Sequence, residues 1–396
     1  MKCKITGKKV HPFMSFGKMP IANGFLNKEK FNDEFFFEME VGFSEDLSLF
    51  QLNNHPKPEM MFNKNYPFFT GSSQQMKLHF KNYADWIKKY YPNKIKNIIE
   101  IGSNDGTFLK NFQHTEFNTL GFEPSGNAAK IALHDGINTI EKFFNKNSIA
   151  EQKKFTKRTD LICAANVICH VPDLNDLIQS VDSMLNKNGL FVFEEPYLGS
   201  MFEKISYDQI YDEHIFIFSV TSVSKIFKLF DMDLIDVFPQ TTHGGSMRYV
   251  VGRKKIHAIN KNVNILLDKE KLKNLDNISS CLKFKNNCEL SKIKTRNNLL
   301  RFKKNNYKIA GYAATSKSTT ILNYCNINNK LIDYICDTTP EKIGKFSPGT
   351  HIPIVDMSHF KNFNPDIAYL FAWNHKDEIF KKEKNYKGKW FSHVDL

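Results

Sequence analysis

The sequence predicts an α/β protein in which a central parallel sheet, covered by helices on both faces, is flanked by a small N-terminal module and a second, C-terminal α/β domain. Three observations predict this. From Asn97 onward the short apolar runs NIIEIG, TLGFEP, LICAAN and GLFVFEEPY alternate with helix-like stretches, the signature of a parallel sheet with crossover helices. The same alternation resumes after residue 305 with KIAGYAA, LIDYICD and IAYLFAWN. A chain of 396 residues is also too long for one ordinary core, so two or three domains are expected.

Residues 1–80 carry short apolar runs broken by Pro, Gly and Asn, which reads as an irregular or β-rich module. In MKLHFKNYADWIKKYY, the residues Leu78, Tyr83, Trp86 and Ile87 fall on roughly one helical face. Residues 81–255 are expected to form the central domain, with SNDGTFLKNF turning into a helix after its first strand. Residues 256–396 are expected to hold a helical connector (262–305, lysine-rich, with Leu and Ile at helical spacing and no proline) and the second α/β domain, in which STTILNYCNI is a helix.

Composition narrows the function. The formal charge is +13, but lysine is scattered and often sits beside asparagine. That is a solvated surface suited to a phosphate-bearing substrate, not a nucleic-acid patch. No apolar run approaches the roughly 20 residues that a membrane span needs, and MKCKITGKKV lacks the apolar core of a secretory signal. A cytoplasmic protein with no membrane partner is expected. Its seven cysteines, an odd number without a CxxC pair, read as reduced thiols.

The segment IIEIGSNDGTF places Glu100 at the end of a strand that runs into Gly102, Ser103, Asn104, Asp105 and Gly106. The two glycines allow a sharp turn at the carboxyl end of a strand, where open α/β sheets bind ligands. About 20 residues later, GFEPS sets Glu123 and Pro124 after the next strand, and an acidic side chain there can accept hydrogen bonds from both ribose hydroxyls. The GSNDG spacing is not the dinucleotide-binding GxGxxG. Together with Glu123 and the strand order, it resembles the class I (Rossmann-like) methyltransferases, in which the loop cradles S-adenosylmethionine. That resemblance implies a cofactor site of Glu100, Gly102, Ser103, Asn104, Gly106, Glu123, Pro124 and Asn166.

Three further segments concentrate polar groups: NVICHVPDL with Asn166 and His170; FEEPYL followed by YDQIYDEHIFIFS with Glu194, Glu195, Tyr211, Glu213 and His214; and QTTHGGSMR with His243 and Arg248. With MPIANGFL, YPFFTGSSQQMKLH, EIGSNDG, IAGYAATSKSTTILNYC, PGTHIPI and LFAWNHKDEI, they resemble, in order along almost the whole chain, the three-domain sugar C-methyltransferases acting on dTDP-linked 4-keto deoxysugars. The resemblance implies methylation at C3 of a nucleotide-linked (dTDP or GDP) 4-keto-6-deoxysugar through an enolate, by a monomer or weak homo-oligomer. His214 is the expected base, since neutral imidazole suits proton abstraction near neutral pH. Glu213 would orient it, Tyr211 and His170 would hydrogen-bond the enolate oxygen or sugar hydroxyls, and Tyr66 would reach the site from the N-terminal module. Glu195, His243 and Arg248 are candidate substrate contacts, and Thr315, Ser316 and Lys317 are candidates for a diphosphate at a helix N-terminus. The competing expectations are transfer to a sugar oxygen or another ring carbon, or a degenerate binding protein.

The chain departs from these relatives in the first module. Their zinc site uses two CxxC pairs, whereas here only Cys3 remains, with Thr6, Ser44 and Leu47 at the other positions. No zinc is expected there.

Overall fold

Apolar side chains between turn residues set up strands from the start of the chain. β1 (His11–Pro20), β2 (Phe36–Ser44) and β3 (Leu49–Leu52) form an antiparallel meander. The structure is a computed structural model describing residues 1–63, 66, 68–91, 95–113 and 116–395; Pro67 of the YPFFTGSS segment lies outside them.

The central sheet is built from β4 (Asn97–Ile101), β5 (Asn118–Phe122), β6 (Thr139–Ile140), β7 (Thr159–Ala165) and β8 (Leu185–Pro196), all parallel. The short strand β9 (Phe216–Ile217) leaves this sheet and pairs antiparallel with β3. Thus the residues directly after Tyr211–His214 are stitched to the N-terminal meander. β10 (Met232–Gln240) and β11 (Ser246–Arg253) return as an antiparallel hairpin on β8, giving the order β10-β11-β8-β7-β4-β5-β6. The chain runs from β4 outward to β6 and then restarts at β7 on β4's other side, so the carboxyl end of β4 is the topological switch point where a crevice opens. The runs read as strands are buried at their centres: Ile98, Ile99, Leu161, Ile162 and Phe191 have no exposed surface, as expected for a sheet covered on both faces.

Two helices, Lys261–Leu272 and Ile278–Lys304, lead to a fully parallel third sheet. It comprises β12 (Ile309–Tyr312), β13 (Tyr334–Cys336), β14 (Ile354–Val355), β15 (Ile367–Leu370) and β16 (Lys389–Phe391), in the order β14-β13-β12-β15-β16. One apolar cluster joins Phe13, Val41 and Phe50 of the meander to Cys281, Phe284 and Cys288 of the long helix and to Ile309, Ile321 and Ile335 of the third sheet. The first and last thirds of the chain therefore share a core.

Two local expectations change. SNDGTFLKNF forms turns and a short 3-10 helix, Leu109–Phe112, rather than a full α-helix. Phe108 and Phe112 are drawn into the core, where Phe108 packs on Tyr83 with ring centroids 5.0 Å apart, and this tertiary contact overrides helical periodicity. Leu78 is exposed. The helix Gln74–Tyr90 instead buries Phe80, Tyr83, Ala84 and Ile87, because the stacking partners lie on that face. At the amino end, Cys3 packs among Ile5, Val10, Leu47 and Leu49, and Ser44 is wholly buried. All seven cysteines are buried and free. Among the described residues no helix is long and apolar enough to cross a membrane.

Candidate active site

The crevice beyond β4 is a cavity of about 480 Å³ walled by all three regions of the chain. Its first wall is the loop after β4. Gly102 takes φ +69°, and a Cβ there would lie 2.4 Å from the Val167 side chain, so no other residue fits. Asn104 N donates to Glu123 Oε2 (2.8 Å) and Ser125 N to Oε1 (2.7 Å). Burial raises the pKa of the Glu123 carboxyl while these two N–H groups oppose the rise. Each oxygen keeps a lone pair for a further donor. Asn166, held at φ +57°, donates its backbone N–H to Glu194 O, and its buried Oδ1 has no partner. Phe122, Phe143, Phe144 and Val167 complete an apolar slot beside these groups.

The segment before the helix Gln74–Tyr90 caps this loop. Thr70 N donates to Asn104 Oδ1 (2.9 Å), Gly71 N to Asp105 Oδ2 (2.7 Å) and Asn104 Nδ2 to Phe68 O (3.2 Å). That clamp fixes where Tyr66 enters the cavity.

The second wall is Tyr211–His214, buried in the bend between β8 and β9. His214 Nδ1 lies 2.6 Å from Gln209 O. A carbonyl only accepts, so Nδ1 carries the hydrogen and Nε2 of the neutral ring presents a lone pair. Tyr211 Oη donates to that Nε2 at 2.8 Å. The His170 ring stacks on His214, centroids 5.3 Å apart, with its Nε2 buried and without a partner. Burial, then His170, pushes His214 well below its usual pKa, and burial takes His170 down to about 3. Both rings are therefore neutral at neutral pH. Glu213 accepts from Asn23 Nδ2 (2.6 Å) and Tyr66 Oη (3.1 Å), its pKa raised by burial. Asp212 Oδ1 takes the Ala22 N–H at 2.9 Å.

The third wall comes from the C-terminal sheet. The helix Ser316–Tyr324 follows β12, with Thr315 capping the Ser318 N–H (3.2 Å). Lys317 is buried, reaches Asn374 Oδ1 (3.1 Å), lies over the Trp373 ring and has its pKa lowered by burial. Lys342 is half-buried, its pKa likewise lowered by desolvation, with Glu213 among the charges facing it. His243 stands between these walls at φ +54°. Thr319 Oγ1 bonds Ala22 O and Thr320 Oγ1 bonds Ile210 O, pinning the helix to both other walls.

Of the residues expected from sequence, the structure brings to the cavity Tyr66, Gly102, Asn104, Glu123, Pro124, Asn166, His170, Tyr211, Glu213, His214, His243, Thr315, Ser316 and Lys317. Five others do not line it. Arg248 is buried in an ion pair with Glu194 (Nε–Oε1 2.6 Å), which also binds His79 (2.6 Å), and its guanidinium lies 3.9 Å from the centroid of Tyr83. It holds β8 to the helix Gln74–Tyr90 rather than a ligand. Glu195 accepts the N–H groups of Ile168 (2.6 Å) and Val167 (3.1 Å) and shapes the loop bearing His170. Glu100 is buried beneath the loop, its pKa pushed far up by burial. Ser103 packs over Gly121, and Gly106 faces Ile137. Sequence reasoning missed Asn23, Phe62, Lys342, Asn374 and His375. The segments MPIANGFL and LFAWNHKDEI contain three of them, but nothing in a linear reading says that they face one cavity.

Residues 3–62 match a model described as a putative zinc binding domain, 75–237 a methyltransferase domain, and 241–394 a C-methyltransferase C-terminal domain. The C-methyltransferase NovU of Streptomyces niveus is 26% identical over 376 residues, 94% of this chain and 89% of that protein. The three models follow one another along the chain, which is thus similar over nearly its whole length to a three-part C-methyltransferase. Solved structures similar to part of this chain include the PH0226 protein of Pyrococcus horikoshii OT3 (15% identity, TM-score 0.38, 47% of this chain and 95% of that one). Another is the plantazolicin methyltransferase BpumL in complex with SAH (13%, TM-score 0.36, 45% and 83%).

The first wall has the groups to hold S-adenosylmethionine. Glu123 has lone pairs left for ribose hydroxyls, the orphaned Asn166 Oδ1 awaits a donor, and the phenylalanine slot is apolar enough for a purine.

Proposed function

We propose that this enzyme methylates C3 of a dTDP- or GDP-linked 4-keto-6-deoxysugar in the cytoplasm, with His214 as the base. The observation that carries the reading is the meeting, in one cavity, of an uncharged His214 of fixed tautomer, Tyr211, Glu213 and the Glu123 loop.

S-adenosylmethionine supplies an electrophilic sulfonium methyl. Glu123, Asn104, Gly102, Pro124 and Asn166 hold it against the switch point. A ketone at C4 acidifies the C3 proton, since the carbanion delocalises as an enolate. His214 Nε2 accepts that proton once the Tyr211 hydroxyl turns from Nε2 to the developing enolate oxygen, where a preorganised donor in a dry site counts most. Burial makes His214 a weaker base than free imidazole, so the enolate must be stabilised by such donors for the transfer to proceed. His170 gives the same oxygen or a sugar hydroxyl a second polar neighbour. Tyr66 and Asn23 fix Glu213, which faces the sugar. Thr315, Ser316 and Lys317, with His243 and Lys342 nearby, receive the diphosphate, whose charge offsets what burial costs the two lysines.

Incubation with labelled S-adenosylmethionine and a panel of nucleotide 4-keto-6-deoxysugars, followed by NMR of the product, tests this. A methyl on C3 is expected. A methyl on oxygen or another carbon overturns the regiochemistry, and absence of turnover across the panel overturns the substrate class.

A further inference from the structure

Beside the second wall, Cys169, His170 and His214 each present one donor atom, and the three atoms lie within 4.8 Å of one another. The thiol of Cys169 has no part in the proposed reaction. Cys169 has no exposed surface, and His170 Nε2 is a buried nitrogen with no hydrogen-bond partner. The bond from His214 Nδ1 to the Gln209 carbonyl leaves its Nε2 as a lone-pair donor, which accepts from Tyr211 Oη at 2.8 Å and exchanges that hydrogen bond when a metal takes its place. The thiol meets the carboxyl of Glu195, whose Oε2 is also buried and unpartnered.

We propose that Cys169, His170 and His214 form an inhibitory site for a soft divalent cation, zinc above all. One thiolate and two neutral imidazoles are a zinc ligand set, and three protein ligands leave a fourth position for water. Zinc–sulfur and zinc–nitrogen bonds of about 2.3 and 2.0–2.1 Å place tetrahedral ligand atoms roughly 3.3–3.7 Å apart, so the cluster needs to contract by at most about 1.5 Å. Both imidazoles are already neutral, and no proton must leave them. The thiol exchanges its proton for the metal: the S–H bond breaks, a sulfur–zinc bond forms, and one proton passes to the Glu195 carboxylate or to water. With the metal on Nε2, His214 cannot accept a substrate proton. The inhibition therefore rests on the base role given to His214 above, whereas the binding does not.

Metal-free full-length chain should be titrated with zinc chloride and, separately, with cobalt(II), alongside Cys169→Ser and Cys169→Ala. Wild type should bind one zinc more than either variant, with affinity at this site falling about 100-fold or more on loss of the thiol. Its cobalt form should show a thiolate charge-transfer band that both variants lack. Added zinc should stop wild-type methyl transfer, a chelator should restore it, and Cys169→Ser should turn over normally and resist zinc. Equal zinc binding by all three proteins, or a cobalt form of wild type without the thiolate band, would overturn the site. Cys169-dependent binding with undiminished turnover would overturn its inhibitory role and would count against His214 as base, while leaving the metal site standing.

Discussion

The two sides of the cavity are built by different means. The cofactor wall comes mostly from residues 100–125 and is shaped by its own backbone: a glycine at φ +69°, and two N–H groups clamped to Glu123. The substrate wall takes Asn23 and Tyr66 from the first region, Tyr211–His214 from the bend, and Lys317 and Lys342 from the last sheet. It holds together through long-range bonds such as Asn23–Glu213 and Thr319–Ala22. On the proposed reading, local geometry suffices for binding a constant cofactor, whereas the selective, reactive side depends on how three sheets dock. Changes in the first wall should register in affinity, and changes in the second in chemistry.

The largest effect should come from His214→Asn. It is expected to lower methyl transfer by about 10²–10⁴-fold while both ligands still bind, and to stop exchange of the substrate's C3 proton with deuterated water. Tyr211→Phe should be milder, because it removes an enolate donor and leaves the base. Near-normal exchange in the His214 variant would move the base role to Tyr211 or His170. Blocked methylation with normal exchange would make His214 an aligning group instead.

Glu195 offers a test of the scaffold between the walls. Burial lifts its carboxyl to about 7, above the unfolded value near 4.5. Between those pH values the native state binds more protons than the unfolded state, so this group's contribution to stability falls as pH rises through the window and is fully present below it. Glu195→Gln should flatten that decline, by an amount on the order of 1–3 kcal/mol between pH 4.5 and 7. Parallel denaturation curves for variant and wild type at pH 5 and 7 would show the carboxyl ionised at both.

Glu123→Ala should weaken S-adenosylmethionine binding roughly tenfold or more, by removing two acceptor bonds of about 1 kcal/mol each, with the turnover of saturated enzyme less affected. An unchanged affinity by calorimetry would place the ribose elsewhere. The smallest effect concerns the first module, where Cys3 sits among aliphatic side chains. A chelator added to Cys169→Ala protein in zinc-free buffer should leave the melting temperature unmoved, and a large drop would mean that unconventional ligands near Cys3 hold a metal.

The central strands were legible because an apolar run that must be buried on both faces can hardly be anything else, and the glycine loop because its backbone needs are local. The sequence therefore determined, by itself, the α/β class, the crevice at β4, and the identities of Glu123, Tyr211, Glu213 and His214 as residues to watch. It also singled out polar residues that the structure places outside the cavity. Arg248 and Glu195 look like ligands for a substrate until the fold gives them Glu194 and two backbone N–H groups as partners. Tertiary structure alone decided that β9 would leave the central region to close the N-terminal sheet, that Asn23 and Lys342 would face Glu213, and that His214 would be stripped of solvent beside His170. The physical reason is that desolvation and side-chain pairing depend on what packs against a group from distant parts of the chain, and no periodicity or spacing along the chain encodes those neighbours.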